Sequence, residues 1–213
     1  MFKTDSIAPE QIPYLGLLKS VLGYVDTENY TYGELFNEIN ANTGGINCGV
    51  EVFDRADSTE EFQAMFSVRG KALYTKMDFL FKMIGEILNS SKLEDTKRLY
   101  EIVASVKSRA QVNLTGAGHS TAVLRAAAYS SPMAAFQDEM AGIGYYQFIE
   151  KLEKDFEQRK EETVEELCKL MKKILRPENF MISYTGERES LETVQKLTGA
   201  VKACLLYTSP SPR

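Results

Sequence analysis

The chain has 213 residues, 44% of them hydrophobic and 26% charged, which suits a folded globular protein of one or two domains and argues against disorder. Its apolar runs are short and broken by charge, so none could cross a bilayer as a helix. A formal net charge of -5 disfavours a nucleic-acid partner, which calls for a basic face.

Taken in chain order, Phe2 to Ser6 reads as the end of a strand, followed by a turn at Pro9. Ile12, Leu15, Leu18, Val21 and Leu22 recur at helical spacing as far as Gly23. Thr31 and Glu34 have the spacing of a capping box and open a second helix through Leu35, Phe36 and Ile39. Gly44 and Gly45 stop it, because glycine tolerates the positive φ of a helix C-terminus. Ile46 to Asp54 and Glu61 to Leu73 alternate as two strands, with Phe62, Ala64, Phe66 and Val68 on one face. The polar stretch Arg55 to Thr59 is their hairpin loop.

Helices then dominate: Tyr74 to Leu88, Asp95 to Leu114, His119 to Tyr129, a short one from Pro132, Ile143 to Lys154 and Gln158 to Leu175. Arg176 to Asn179 is a break. Phe180 to Gly186 reads as a strand, and a helix from Glu189 to Ala203 closes the pattern. The fold class expected is α+β, a mostly antiparallel sheet with helices packed on one side.

Little in the residues suggests chemistry. A hydrolytic zinc site takes three protein ligands and a carboxylate to manage the water proton. The chain holds one histidine, His119, so a His-x-x-Glu-His motif is excluded. Ligation by His119 with unrelated carboxylates stays open beside its reading as a helix-start residue. Gly116-Ala117-Gly118 lacks the lysine and hydroxyl of a phosphate loop and reads as a helix–helix turn. Ser120, Ser130 and Ser131 have no triad context. Glu34 and Glu38 share a helix face, as an acidic pair or as a solvated surface. Cys48, Cys168 and Cys204 lie far apart, and the first two read as buried or half-buried thiols. The sequon at Asn113 carries weight only in a secreted protein.

Two stretches carry a resemblance: TYGELFNEINANTGGINCGVEVF (31–53) and GAGHSTAVLRAAAYSSPMAAFQDEMAGIGYYQFIEKL (116–152), above all the SPxAAFQDExxGIGYY block. They resemble the presequence-protease branch of the insulinase-like (inverzincin) zinc metallopeptidases. Such enzymes have two related halves of two domains each, closing around a chamber. The helix bearing zinc ligands in the first half has a degenerate counterpart in the second, and Ile12 to Leu18 resembles that counterpart, with apolar residues in place of ligands.

The resemblance implies that residues 1–203 are the third domain, in the noncatalytic half, with most of the first strand lying upstream. It implies no catalytic, cofactor-binding or metal-binding residue in this chain. Zinc would sit in an N-terminal catalytic half, which with a C-terminal fourth domain and peptide substrates would be the partners. The expected function is part of a zinc metalloendopeptidase that degrades short or unfolded peptides, inactive as this piece alone. The alternative is a noncatalytic structural or binding subunit of the same superfamily; a helical module unrelated to peptidases has no motif in its favour. Tyr145 and Tyr146 are candidates for touching substrate, against packing between helices. No nucleic acid or membrane partner is expected. The apparent absence of a secretory signal suggests the cytoplasm. Residues 204–213, CLLYTSPSPR, resemble one reading frame of a sequencing adapter and are expected to lie outside the native domain.

Overall fold

In the computed structural model, residues 1–55 and 58–207 are described. Strand β1 is Phe2–Lys3, and after a 3-10 turn at Pro9–Gln11 helix α1 occupies Ile12–Val21. Helix α2 (Tyr32–Asn42) precedes the long antiparallel pair β2 (Ile46–Arg55) and β3 (Ser58–Gly70). Six helices follow: α3 (Met77–Asn89), α4 (Thr96–Gly116), α5 (Gly118–Ala127), α6 (Pro132–Ala141), α7 (Ile143–Lys154) and α8 (Phe156–Ile174). Helix α9 (Leu191–Tyr207) is the last. The result is the α+β arrangement expected: a three-stranded antiparallel sheet in the order β1-β3-β2 beside a large helical layer.

Local chemistry explains most of the boundaries. The Thr31 side chain accepts from the Glu34 amide, while the Glu34 carboxylate takes the Thr31 N–H at 2.9 Å, closing the capping box. Gly23 (φ +86°) and Gly45 (φ +105°) sit in the left-handed region, where a side chain would be strained, and each lies just beyond a helix. Asp95 and Ser131 cap α4 and α6, and Pro132 takes a first-turn position where its missing N–H costs nothing.

Helix α1 is the centre of the molecule. It packs against α4, α6, α7, α8 and β2, and Leu15, Leu17, Leu18 and Val21 are essentially inaccessible to solvent. The predicted β3 face joins the same core, with Ala64 and Phe66 buried and Phe62 and Val68 packed against them. A smaller apolar cluster of Met77, Leu80 and Val194 fastens α9 to α3.

Two expectations are corrected. Residues 180–186 do not form a strand. Phe180 makes one bridge to Phe2, and the Met1 and Met181 backbones exchange bonds at 2.8 Å. Beyond Met181 no ladder partner is present among the described residues, because β1 offers no residue past Met1. The last helix also runs on past Ala203 to Tyr207: Leu205 lies one turn beyond the buried Val201 and is itself 1% exposed, so the inward stripe continues. The hairpin link falls on residues 56–57 and the rest of the tail on 208–213, both outside the described residues.

Candidate functional site

The helix resembling a degenerate zinc helix is apolar throughout its inner face. Leu15 and Leu18 sit in the core, and Tyr14 stacks edge-on against Phe148 at 4.8 Å. The Tyr14 hydroxyl accepts from Arg159 at 2.9 Å. Gln11, just before the helix, donates to Glu166 at 3.0 Å and accepts from Lys173 at 2.7 Å. These side chains do not fit zinc: a leucine offers no lone pair, and the polar groups nearby are engaged with one another. Among the described residues no group of three His, Cys, Asp or Glu side chains could hold a metal ion.

The other candidates are dispersed. His119 is the second residue of α5, and Gly116 to Gly118 joins α4 to α5 as a helix–helix turn. Glu34 is held in its capping box by Thr31, which keeps its carboxyl below the ordinary range, whereas Glu38 receives the Asn42 side-chain amide at 3.2 Å. The two therefore serve separate local bonds. Cys48 and Cys168 are half-buried free thiols, and burial pushes the Cys48 thiol up to about 12, which makes it a poor nucleophile.

The SPxAAFQDExxGIGYY block is brought together, and its centre is a residue that sequence reading passed over. Asp138, only 1% exposed, accepts from the Ile143 N–H at 3.0 Å and the Gly144 N–H at 3.1 Å, and from Arg125 at 2.6 Å. Its carboxylate thus satisfies the first amides of α7, which would otherwise be orphaned inside the protein. The carboxylate approaches so closely that a Cβ at Gly142 would lie 2.4 Å from its Oδ1, which accounts for glycine there. The bond to Asp138 also raises the Arg125 guanidinium further. The signal was available as an acid one helical turn before Gly142-Ile143-Gly144.

Tyr145 is buried and lies flat on α1, where a Cβ on Gly16 would come within 2.7 Å of its ring. Tyr146 is half-buried and donates to Glu150 at 2.7 Å. Both therefore serve helix packing in this chain.

The profile of the family described as peptidase M16 (subfamily C) associated matches residues 1–152. The chain belongs to this peptidase-associated family. It is 33% identical over 195 residues to the protein HypA of Clostridium perfringens, covering 92% of this chain and 20% of that protein. It is also 29% identical over 155 residues to the mitochondrial presequence protease of Yarrowia lipolytica (73% and 16%). Against presequence protease 1, chloroplastic/mitochondrial, of Arabidopsis thaliana the identity is 25% over 196 residues (92% and 18%). This family member thus spans about a fifth of the length of these relatives. No helix among its described residues is long and apolar enough to cross a membrane.

Proposed function

We propose that residues 1–203 are the third domain of a zinc metalloendopeptidase acting on short or unfolded peptides, and that this domain forms part of the wall of its substrate chamber. The carrying observation is the family match over residues 1–152, joined to a central helix that holds leucines where a catalytic helix would hold ligands. Zinc, the nucleophilic water and the general base would belong to an N-terminal half of the same polypeptide. A C-terminal fourth domain and the peptide itself would be the other partners. The cytoplasm is the proposed compartment; relatives named mitochondrial or chloroplastic make an organelle the competing one.

The test is to express the whole polypeptide and follow cleavage of an unstructured peptide with and without a chelator. Cleavage that needs zinc, is abolished by replacing the histidines of an upstream His-x-x-Glu-His, and is absent from the 213-residue chain supports the reading. A whole protein lacking that motif and inert toward peptides overturns it in favour of a noncatalytic subunit.

A further inference from the structure

Strand β2 is an edge strand, and the direction of its unpaired backbone groups follows from the register. The Thr4 N–H donates to Ala64 O, so even-numbered residues of β3 turn their backbone groups toward β1. Odd-numbered residues of β3 therefore serve β2, through the pairs Arg69–Asn47, Ser67–Gly49 and Met65–Glu51. That leaves the N–H and C=O groups of Ile46, Cys48, Val50 and Val52 pointing outward. None of these four has a backbone partner among the described residues apart from its own ladder.

A groove of about 590 Å³ runs along this edge, bordered by residues 45–51 on one side and by the C-terminal end of α1 on the other. Lys19 and Ser20 of α1, Asn40 of α2 and Arg109 of α4 line it. Its charges are unbalanced. Glu51, the carboxylate in the lining, is already paired with Arg69 and takes the Ser67 hydroxyl at 3.2 Å. Neither Lys19 nor Arg109 has an ion-pair or hydrogen-bonding side-chain partner among the described residues. Burial also lowers the Lys19 ammonium, so that cation is held partly out of water with nothing opposite it. Beside Ser20 the Tyr145 hydroxyl, on a residue only 5% exposed, lacks a partner, while Ser20 donates to Gly16 O at 3.4 Å.

We propose that the outer edge of β2 binds an extended peptide by strand addition, with Lys19 and Arg109 receiving a carboxylate of that peptide. Backbone groups at every second residue supply sequence-tolerant bonds, and the two cations select for an acidic side chain or a free C-terminus. The inference rests on the chamber-wall reading and deepens it, by naming where on the wall a peptide lies and what chemistry it carries. The chain as a whole is acidic, so an unpaired pair of cations here gives the groove a polarity opposite to its surroundings.

The experiment titrates the 213-residue chain with four fluorescent decapeptides rich in valine and threonine. They carry either one glutamate or its glutamine replacement, and end in either a free carboxylate or an amide. Binding is read by anisotropy and by amide exchange. The expected result is slowed exchange at Ile46, Cys48 and Val50. Affinity should fall about tenfold or more when the operative carboxylate is removed, as for loss of a charge-assisted bond. The glutamine and amide arms tell which carboxylate that is. K19M and R109Q should each erase the preference, and V50P, which removes one outward N–H from an edge position, should weaken all four peptides alike. No binding, or binding indifferent to both charge variants, overturns the site. Protection appearing elsewhere on the chain sinks this site but leaves the chamber-wall reading standing. Protection at β2 combined with a whole protein inert toward peptides does the reverse.

Discussion

The helical flank of α1 and its sheet flank handle backbone polar groups in opposite ways. Where α6 meets α7, the buried Asp138 carboxylate answers two helix-start amides and an arginine, none of them more than 13 residues away in sequence. On the sheet flank, β2 presents outward backbone groups without ladder partners, and residues 182–186 run alongside with none either. The first arrangement is closed on itself and fixes geometry; the second is open and suited to receiving another strand. The lesson is that this domain is rigid where its own helices meet and receptive where its sheet ends.

Removing the closure should have the largest effect. D138A leaves two buried N–H donors without an acceptor, at about 1–3 kcal/mol each, so urea unfolding should show a loss of about 2–6 kcal/mol. An unchanged midpoint would mean the α6–α7 junction can rearrange to satisfy those amides. Next comes G16A, whose Cβ would meet the Tyr145 ring at 2.7 Å and Met140 O at 2.8 Å. Because one of these contacts is backbone, about 1–3 kcal/mol of destabilisation is expected by the same measurement. A neutral result would show that α1 and α7 can separate slightly, blunting the contrast between the flanks.

A smaller effect concerns pH. Glu86 is 8% exposed, and burial alone would raise its carboxyl; hydrogen bonds from Thr27 and Asn29 outweigh that and hold it below the ordinary range. A carboxyl depressed on folding contributes stability above its unfolded pKa, near 4.5, and loses that contribution as pH falls through the folded value. Thermal melts should therefore weaken below about pH 4.5, and E86Q should flatten that part of the profile. Melts of the two proteins that stay parallel in acid would show the bonds to Asn29 to be unimportant. Least in energy is the alternation along β2: amides of Cys48 and Val50 should exchange faster than those of Asn47 and Gly49 by about tenfold or more. Uniform protection would indicate that another chain already covers this edge.

Much of the helical layer was legible in the sequence because its signals are local. Thr31 with Glu34, Pro132 after Ser131 and the apolar spacing in α1 act within a turn or two of helix. The strand expected at 180–186 failed for the opposite reason: its residues have β character, but a strand exists only with a neighbour, and pairing stops at Met1. The helix end at Ala203 was misplaced because the tail's composition seemed foreign, while Leu205 still falls on the inward stripe.

By itself, the sequence determined the α+β class, the order of the elements, the exclusion of a His-x-x-Glu-His motif and the kinship signalled by the SPxAAFQDExxGIGYY block. Only the tertiary structure decided what that block does and which strand edge stays open. Asp138 becomes an anchor through bonds that need α6 and α7 folded against each other, and the groove beside β2 exists because α1, α2 and α4 bring Lys19, Asn40 and Arg109 to one edge. Residue type and spacing specify helices through contacts a few residues apart. Burial, sheet edges and unpaired charges depend on which distant segments meet.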